Sequence, residues 1–470
     1  MRRSRDTPLL LALWLGLCVS GCSHPPPPTE EPAVEVEDTP AVGADVVQAG
    51  APSTDDMPEK AGPSAEAEPG AEVEAGPEHE PMEVVVLDPG APQIEHPEAL
   101  GRFFSALDRV RTEERGAIAR ILHMGDSSVG LDGLPQAIRT RMQERFGDAG
   151  PGFVLIDRFS KNYTSNVAKI EAGGWKICYI AYLCKKDGHY GLGGHTFRGV
   201  ADAWTKIGPH RSSANGRTIS KLELWYAATP SGGDLKLRVD KGPYELINTR
   251  ADALEDRWHQ VEVEAGEHRL ELRGGSNGPV RVYGVAMEND GPGIVWDTVS
   301  MTGAYVRRLH GYDDEHIAGQ VAHRDPDLLV VSYGGNDLRR FVSGSVKPDD
   351  FKEEYRTTVR KLRQGKEGLA CLIVGVTDHA RSGTYNVRSE HMELMTAIER
   401  EVANEEKCAF FDSVAAMGGP GSVHTWVKQG KVSPDEKHLS RRGVDIMGGM
   451  IYDALLAAYS ASRAPRDGAA

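Results

Sequence analysis

Three short stretches of the 470-residue chain combine residue types that could perform nucleophilic catalysis. The first is Gly-Asp-Ser-Ser, residues 125–128, which directly follows the apolar run 118–124. A small glycine before a serine at the carboxyl end of a strand lets the backbone turn sharply and aims the hydroxyl into the crevice above the sheet. This context presents Ser127 as a candidate nucleophile.

The other two stretches contain groups that a serine nucleophile requires. A nucleophilic serine needs a base, and the base needs a carboxylate that orients it. Asp435 and His438 stand three residues apart just before the last helical pattern, so the carboxylate can face the imidazole. The apolar run 328–333 ends in Gly-Gly-Asn-Asp, which brings Asn336 to a strand end as well. Together these residues predict a site for acyl transfer.

The elements that must position these residues alternate between strand and helix. Short apolar runs indicate buried strands at 118–124, 328–333, 371–376 and 409–411. Apolar residues at helical spacing mark helices at 134–146, 351–362, 392–402 and 444–455. Strands that alternate with helices predict a parallel sheet covered on both faces.

A different pattern occupies roughly residues 159–290. Here apolar residues alternate with polar ones in short runs, and clusters of Gly, Pro and Asn separate the runs. This pattern is typical of an antiparallel β-sandwich. Because the α/β pattern lies on both sides of it, the sandwich is expected to be an insertion into the α/β domain.

At the three polar stretches the sequence resembles the SGNH/GDSL hydrolase superfamily. Ser127 matches its nucleophile, Asn336 its Gly-x-Asn-Asp block, and Asp435 and His438 its Asp-x-x-His block. The resemblance implies a flavodoxin-like, three-layer α/β hydrolase domain. Its residues would be 85–158 and 291–462, interrupted by the inserted all-β sandwich at 159–290.

The remaining block of that superfamily contributes a glycine N–H to an oxyanion hole. Gly303 is the candidate, since it follows a strand-like run and precedes a helix-like one. Gly150 and Gly152 are competing choices, and Thr302 stands where an Asn is more usual. The oxyanion hole implied by the resemblance would consist of the N–H groups of Ser127 and Gly303 and the amide of Asn336.

The order of these features is similar to that of bacterial peptidoglycan O-acetylesterases, in which a carbohydrate-binding-module-like sandwich is inserted before the glycine block. The similarity implies a serine esterase that removes O-acetyl groups from cell-wall glycan through an acetyl-serine intermediate, with no metal or organic cofactor. Two alternatives remain open. The same residues suit O-acetyl transfer or an ester of another polysaccharide or a lipid, and the chain could also be a non-catalytic, tethered wall-binding protein.

The N-terminus predicts export and anchoring. Arginines at positions 2, 3 and 5 precede the apolar stretch 9–19, which is too short to span a bilayer comfortably. The sequence Val-Ser-Gly-Cys that ends at Cys22 resembles the lipobox of bacterial lipoproteins. The resemblance implies a signal peptide at 1–21 and lipidation of Cys22. Ser23 in place of an Asp favours the outer membrane, with the protein facing the periplasm.

The acidity of the chain lies in one segment. Of the formal net charge of −15, residues 23–83 hold 16 Asp and Glu and one Lys. They also hold 12 of the 28 prolines and no aromatic residue, so they cannot bury enough apolar surface to offset their ordering entropy. Residues 22–84 are therefore predicted to be an extended, disordered linker. The nearly neutral remainder gives no basic face for nucleic acid.

Several side chains of the folded part allow more than one interpretation. Cys178 and Cys184 are close enough in sequence to pair, whereas Cys371 and Cys408 adjoin apolar runs and could be buried thiols. The histidines show no convincing metal-ligand spacing. The following aromatic residues of the insert could form a sugar-stacking platform or pack in its core: Trp175, Trp204, Trp225, Tyr226 and Trp258.

Overall fold

The computed structural model describes residues 85–160, 163–275 and 277–464. The predicted signal peptide 1–21, the lipidation site Cys22 and the linker 22–84 lie outside the described residues. Of the helices that are described, none is long and apolar enough to cross a membrane.

The described strands fall into a central sheet, two sheets of the insert and one small hairpin. In chain order they are β1 (Ile94–Glu95), β2 (Ile118–Gly125), β3 (Gly152–Val154), β4 (Ala168–Gly173), β5 (Lys176–Tyr179), β6 (His195–Gly199), β7 (Trp204–Pro209), β8 (Ile219–Ala228), β9 (Asp234–Val239), β10 (Glu245–Asn248), β11 (Glu255–Gly266), β12 (Leu270–Gly274), β13 (Val280–Glu288), β14 (Gly293–Ser300), β15 (Leu328–Ser332), β16 (Ala370–Val374), β17 (Arg381–Ser382), β18 (Tyr385–Asn386) and β19 (Ala409–Phe411).

The described helices lie mostly before and after the insert. They are α1 (Gly101–Arg111), α2 (Ser127–Gly130), α3 (Gly133–Phe146), α4 (Asp314–Arg324), α5 (Asp337–Val342), α6 (Pro348–Arg363), α7 (Ser389–Glu405), α8 (Ser413–Met417), α9 (Val423–Lys428) and α10 (Arg441–Arg463), with 3₁₀ turns at Pro97–Leu100, Ile180–Tyr182 and Val306–Gly311. The helices predicted from apolar spacing form as α3, α6, α7 and α10. Each is longer than its apolar stripe, because the stripe marks only the buried face.

The central sheet has the strand order β1-β19-β16-β15-β2-β14. Its strands β19, β16, β15, β2 and β14 are parallel, and only the short edge strand β1 is antiparallel. Every residue of β15 and β16 is buried, as expected for a parallel sheet covered on both faces. The predicted α/β architecture is confirmed.

Successive residues of β2 face the two helical layers. Ile121 belongs to one apolar cluster, which also contains Ile138 of α3 and Met447 of α10. Leu122 belongs to the other, which also contains Phe351 of α6. This alternation produces the three layers that the resemblance implies.

The insert consists of two antiparallel sheets. One has the order β10-β9-β12-β7-β4, and the other has the order β11-β8-β13-β6-β5, with β3 also paired to β13. β3 precedes residue 159, so this sheet extends beyond the range expected for the insert. The apolar cluster that contains the sandwich core also contains Leu122 and Ile317 of the α/β domain. The insert thus packs directly on the α/β domain.

The aromatic residues of the insert are mainly core residues. Trp175, Trp225 and Tyr226 are buried, which excludes them from a sugar-stacking surface. Trp258 is half-buried, and its ring stacks on His323 at a centroid distance of 3.9 Å. Trp204 is also half-buried. The platform interpretation is therefore wrong for the three buried rings.

The described part of the chain contains two disulfides. Cys178 pairs with Cys184 next to β5. Cys371 pairs with Cys408, with 4.6 Å between their Cα atoms. The interpretation of these last two residues as buried thiols is wrong, because β16 and β19 are neighbouring parallel strands whose register places Leu372 opposite Ala409. The two cysteines therefore lie side by side.

Candidate active site

Ser127 lies where β2 ends. Asp126 caps the short helix α2, and its Oδ1 accepts a hydrogen bond of 2.9 Å from the N–H of Ser128. A Cβ at Gly125 would lie 2.4 Å from a methyl group of Val129 and 2.7 Å from the carbonyl oxygen of Ser332. Only glycine therefore allows the chain to turn here and lift Ser127 above the sheet.

The predicted nucleophile, base and carboxylate lie in one hydrogen-bonded line. The Oγ atom of Ser127 is 3.0 Å from Nε2 of His438. Nδ1 of His438 is 2.6 Å from Oδ2 of Asp435. Since a carboxylate only accepts hydrogen bonds, Nδ1 carries the proton, and Nε2 faces the serine with its lone pair. The neighbouring Ser128 instead directs its hydroxyl to the carbonyl of Ser332.

Asp435 is held in its ionised form. Burial alone would raise its pKa, but hydrogen bonds from the imidazole and backbone N–H of His438 and from the N–H of Lys437 lower that pKa to about 2. Its Oδ1 accepts both backbone bonds at 3.0 Å. The carboxylate is thereby fixed in the orientation that presents Oδ2 to the imidazole.

Asn336 lies at the end of the adjacent strand β15, at the start of α5. Its Nδ2 donates to Oδ2 of Asp126 at 3.4 Å and to the carbonyl of Ala304 at 3.3 Å. Its Oδ1 accepts from Nζ of Lys437 at 3.3 Å. These partners fix the orientation of the Asn336 amide, so its NH₂ faces Asp126 and Ala304 and its oxygen faces Lys437. Asn336 therefore lies beside Asp126, the residue before Ser127.

Gly303 lies just beyond β14, the other neighbour of β2. Ser300, the last residue of β14, is in register with Gly125, and the N–H of Met301 donates to the carbonyl of Gly125 at 2.7 Å. Gly303 and Ser127 therefore belong to the same edge of the sheet. Gly152, one of the competing glycines, packs against Asp297 within β14, away from this edge.

The other competing glycine, Gly150, also lies elsewhere. A Cβ on Gly150 would meet the backbone of Glu288 in β13 at 2.8 Å. The structure therefore brings neither competitor to Ser127. Gly303 alone of the three candidates is placed beside the strand that ends at the serine.

A cavity of about 120 Å³ opens beside Ser127 and His438. Its apolar wall includes Leu131, Leu134 and Val376. Leu131 is 61% exposed, so one side of the cavity entrance is an apolar surface open to solvent. A cavity of this size suits a short acyl group.

His379 lines the same cavity. Burial lowers the pKa of His379 well below its ordinary range, so the ring is neutral. The adjacent Asp378 points elsewhere, because its Oδ2 accepts from the N–H of Val423 at 2.8 Å. Asp378 therefore stabilises the start of α9.

Lys437 is a cavity residue that the sequence argument missed. It lies between the two residues of the Asp-x-x-His stretch, lines the cavity and donates to Asn336. Burial lowers its pKa, and the nearby carboxylates of Asp126 and Asp435 act in the opposite direction. A lysine inside a catalytic motif is the signal that could have found it.

One cluster within the described ranges brings together three side chains that could share a metal ion: His189, Asp256 and His316. Nε2 of His316 accepts from the N–H of Gly191 at 2.8 Å, and its Nδ1 lies 2.6 Å from Oδ2 of Asp256. Both ring nitrogens are thus already bonded. This cluster lies outside the Ser127 cavity and joins β11 of the insert to α4.

Most of the site residues lie in a segment that is similar to a known protein family. Residues 272–446 match the model of the GDSL-like Lipase/Acylhydrolase family. The matched segment contains Gly303, Asn336, Asp435 and His438, and it leaves out Ser127, which the insert separates from it. The domain has the SGNH hydrolase fold, and residues 272–446 are similar to GDSL-like lipases and acylhydrolases.

Among solved structures, the chain is similar to a peptidoglycan O-acetylesterase, with a TM-score of 0.64 and 20% identity over 77% of this chain and 97% of the other. This likeness covers both the hydrolase domain and the insert, and it shows a shared fold. A carbohydrate esterase of family two from Cellvibrio japonicus matches 62% of this chain and 98% of its own at 11% identity, with a TM-score of 0.26. Comparison with curated proteins gives no match.

Proposed function

We propose that the protein is a serine esterase that removes O-acetyl groups from cell-wall glycan. The observation that carries the proposal is the line of short contacts from Ser127 Oγ to His438 Nε2 at 3.0 Å and from His438 Nδ1 to Asp435 Oδ2 at 2.6 Å. The glycan and acetyl specificity is supported by the fold shared with a peptidoglycan O-acetylesterase and by the small volume of the cavity.

The reaction begins at Ser127. Its Oγ attacks the acetyl carbonyl carbon while Nε2 of His438 takes the hydroxyl proton, and Asp435 stabilises the resulting imidazolium. The tetrahedral intermediate collapses, the glycan hydroxyl leaves with the proton from His438, and the acetyl group remains on Ser127. Water then attacks the acetyl-enzyme while His438 takes its proton. The second tetrahedral intermediate collapses, Ser127 Oγ leaves with the proton from His438, and acetate is released.

The negative charge of the tetrahedral intermediate needs hydrogen-bond donors. We assign this role to the N–H groups of Ser127 and Gly303 and to the amide of Asn336. Within the described residues, neither of the two N–H groups donates to a backbone acceptor. The amide bonds of Asn336, at 3.3 and 3.4 Å, are long, so either can be exchanged at little cost for a stronger bond to an oxyanion.

Acetate release from peptidoglycan tests this function. Purified full chain is incubated with O-acetylated peptidoglycan and with the same material after chemical removal of its acetyl groups. We expect acetate from the first substrate only, none from Ser127→Ala, and wild-type release from Ser128→Ala, the matched control. Release by Ser127→Ala would overturn the mechanism, and transfer of acetyl to an added sugar acceptor in place of acetate release would make the protein a transferase.

We further propose that Cys22 bears a lipid that anchors the chain to the outer membrane, facing the periplasm. A linker of about 60 residues reaches at most about 200 Å, so the hydrolase could act well away from its anchor. Membrane fractionation of wild type and Cys22→Ser tests this placement. We expect the variant to leave the membrane fraction, and its retention there would contradict the anchor.

A further inference from the structure

One side chain of the insert forms a hydrogen bond with the loop 301–304, which contains Gly303. Tyr179, the last residue of β5, donates a hydrogen bond of 2.8 Å from its hydroxyl to the carbonyl oxygen of Thr302. The carbonyl of Thr302 and the N–H of Gly303 belong to one peptide unit. A residue of the inserted β domain therefore holds the peptide whose N–H we assign to the oxyanion hole.

The type of β-turn that residues 301–304 form determines the direction in which this peptide points. Residues 301–304 form a turn closed by a 2.9 Å bond from the N–H of Ala304 to the carbonyl of Met301. Gly303, third in the turn, has a φ of +80°, the value of a type II turn. Type I and type II turns differ by a flip of the central peptide, which here would reverse both the Thr302 carbonyl and the Gly303 N–H.

The hydroxyl of Tyr179 favours one of these two orientations. A trans peptide is planar, and its C=O and N–H point in opposite directions. With the Thr302 carbonyl bonded to Tyr179, the Gly303 N–H points away from the insert. A flipped peptide would lose the bond from Tyr179 and leave a buried hydroxyl unpaired.

Tyr179 is itself held firmly. The residue is 6% exposed, and its ring stacks on His195, with centroids 4.3 Å apart and planes 2° apart. The Cys178–Cys184 disulfide closes the short loop that follows it. Burial raises the pKa of Tyr179 well above 10.0, so its hydroxyl keeps its proton at any pH at which the enzyme would work.

We propose that Tyr179 is a positioning residue. Its hydroxyl holds the Thr302–Gly303 peptide in the orientation in which the Gly303 N–H meets the oxyanion, and the inserted β domain thereby controls the rate of acyl transfer. The inference depends on the proposed function, since it concerns the same tetrahedral intermediate. It gives the insert a role in catalysis that is independent of any binding of glycan.

Tyr179→Phe tests the proposal, because it removes the hydroxyl and keeps the stacked ring. Tyr182→Phe is the matched control: Tyr182 is 64% exposed and lies edge-on to Tyr179. With 4-nitrophenyl acetate, we expect Tyr179→Phe to lower kcat by at least about tenfold and by no more than the 10²–10³ that removal of one oxyanion donor costs. KM and the pH profile of kcat should stay at wild-type values, the thermal midpoint should fall only slightly, as for the loss of any one buried hydrogen bond, and Tyr182→Phe should match wild type throughout.

A second measurement tests the role of Tyr179 without the proposed substrate. A fluorophosphonate forms a bond between Ser127 Oγ and phosphorus as fluoride leaves and His438 takes the proton, and this step also passes through an oxyanion. Tyr179→Phe should slow the labelling of Ser127 by a factor similar to its loss of kcat. If the wild type is labelled but releases no acetate, the esterase proposal fails while slower labelling of Tyr179→Phe still supports the positioning role.

Three results would overturn the inference. The first is labelling and turnover of Tyr179→Phe at wild-type rates. The second is a loss of kcat that disappears when the rate is expressed per folded protein molecule, which would show a structural role only. The third is a wild-type Ser127 that the fluorophosphonate does not label, which would remove the proposed function as well.

Discussion

Replacement of Asp435 by Asn preserves the shape of the side chain and removes its charge. In the wild type, Oδ1 accepts the N–H groups of Lys437 and His438, both at 3.0 Å, and Oδ2 faces the imidazole at 2.6 Å. In the variant Asp435→Asn, the two backbone donors will hold the new amide oxygen in the place of Oδ1. The amide NH₂ must then face Nδ1 of His438.

This reversal changes the tautomer of His438. An amide NH₂ only donates, so Nδ1 has to accept, and the ring proton moves to Nε2. Nε2 then points an N–H at Ser127 Oγ, 3.0 Å away, and cannot take the serine proton. We expect kcat to fall by about 10³–10⁴, which is about 4–5.5 kcal/mol of activation free energy. KM should change little, because Asp435 does not line the cavity.

The assay is steady-state hydrolysis of 4-nitrophenyl acetate, combined with nitrogen NMR of the His438 ring to locate its proton. Glu436→Gln is the matched control, since Glu436 is the adjacent carboxylate and contacts Arg381 and His424 at the surface. It should retain wild-type kcat. A variant Asp435→Asn that keeps more than about a tenth of kcat, or whose ring proton stays on Nδ1, would refute this reasoning.

Three further outcomes follow from the site and the fold. Asn336→Ala should lower kcat by about 10²–10³ in steady-state assays, and an unchanged kcat would exclude its amide from the oxyanion hole. Replacement of both Cys371 and Cys408 by Ala should lower the free energy of unfolding in urea by about 4 kcal/mol, because the disulfide closes a loop with a sequence separation of 37, and an unchanged midpoint would contradict this. Because the pKa of Asp435 is lowered from 3.8 to about 2, its contribution to stability is present above pH 4 and lost as the pH falls through about 2. Urea unfolding of Asp435→Asn should therefore depend less steeply on pH between these values than that of the wild type, and equal slopes would contradict the lowered pKa.

The sequence sufficed for the parts of the site that depend on local geometry or on the sheet. Asp435 and His438 are three residues apart, so their contact requires only one turn of chain. Ser127, Gly303 and Asn336 each follow a strand of the parallel sheet, and the carboxyl ends of adjacent parallel strands lie at one edge. A strand pattern and a motif together were enough to place them near one another.

Other features depend on packing between distant segments, which periodicity does not reveal. Tyr179 reaches Thr302 across 123 positions of sequence, from a different sheet. The Cys371–Cys408 pair depends on the register of β16 against β19. Lys437 lies within a recognised motif, but its hydrogen bond to Asn336 depends on how the loop before α10 folds against the start of α5. In each of these cases the sequence contains the residue but does not show which residue it contacts.

The most direct test of the central claim is to trap the acyl-enzyme. Full-length protein mixed with O-acetylated peptidoglycan is quenched in acid within one turnover, digested and analysed by mass spectrometry. We predict one acetyl group on the peptide that contains Ser127, located on that serine, and none in Ser127→Ala. Acetate release without an acetylated Ser127, or an acetyl group on another residue, would contradict it.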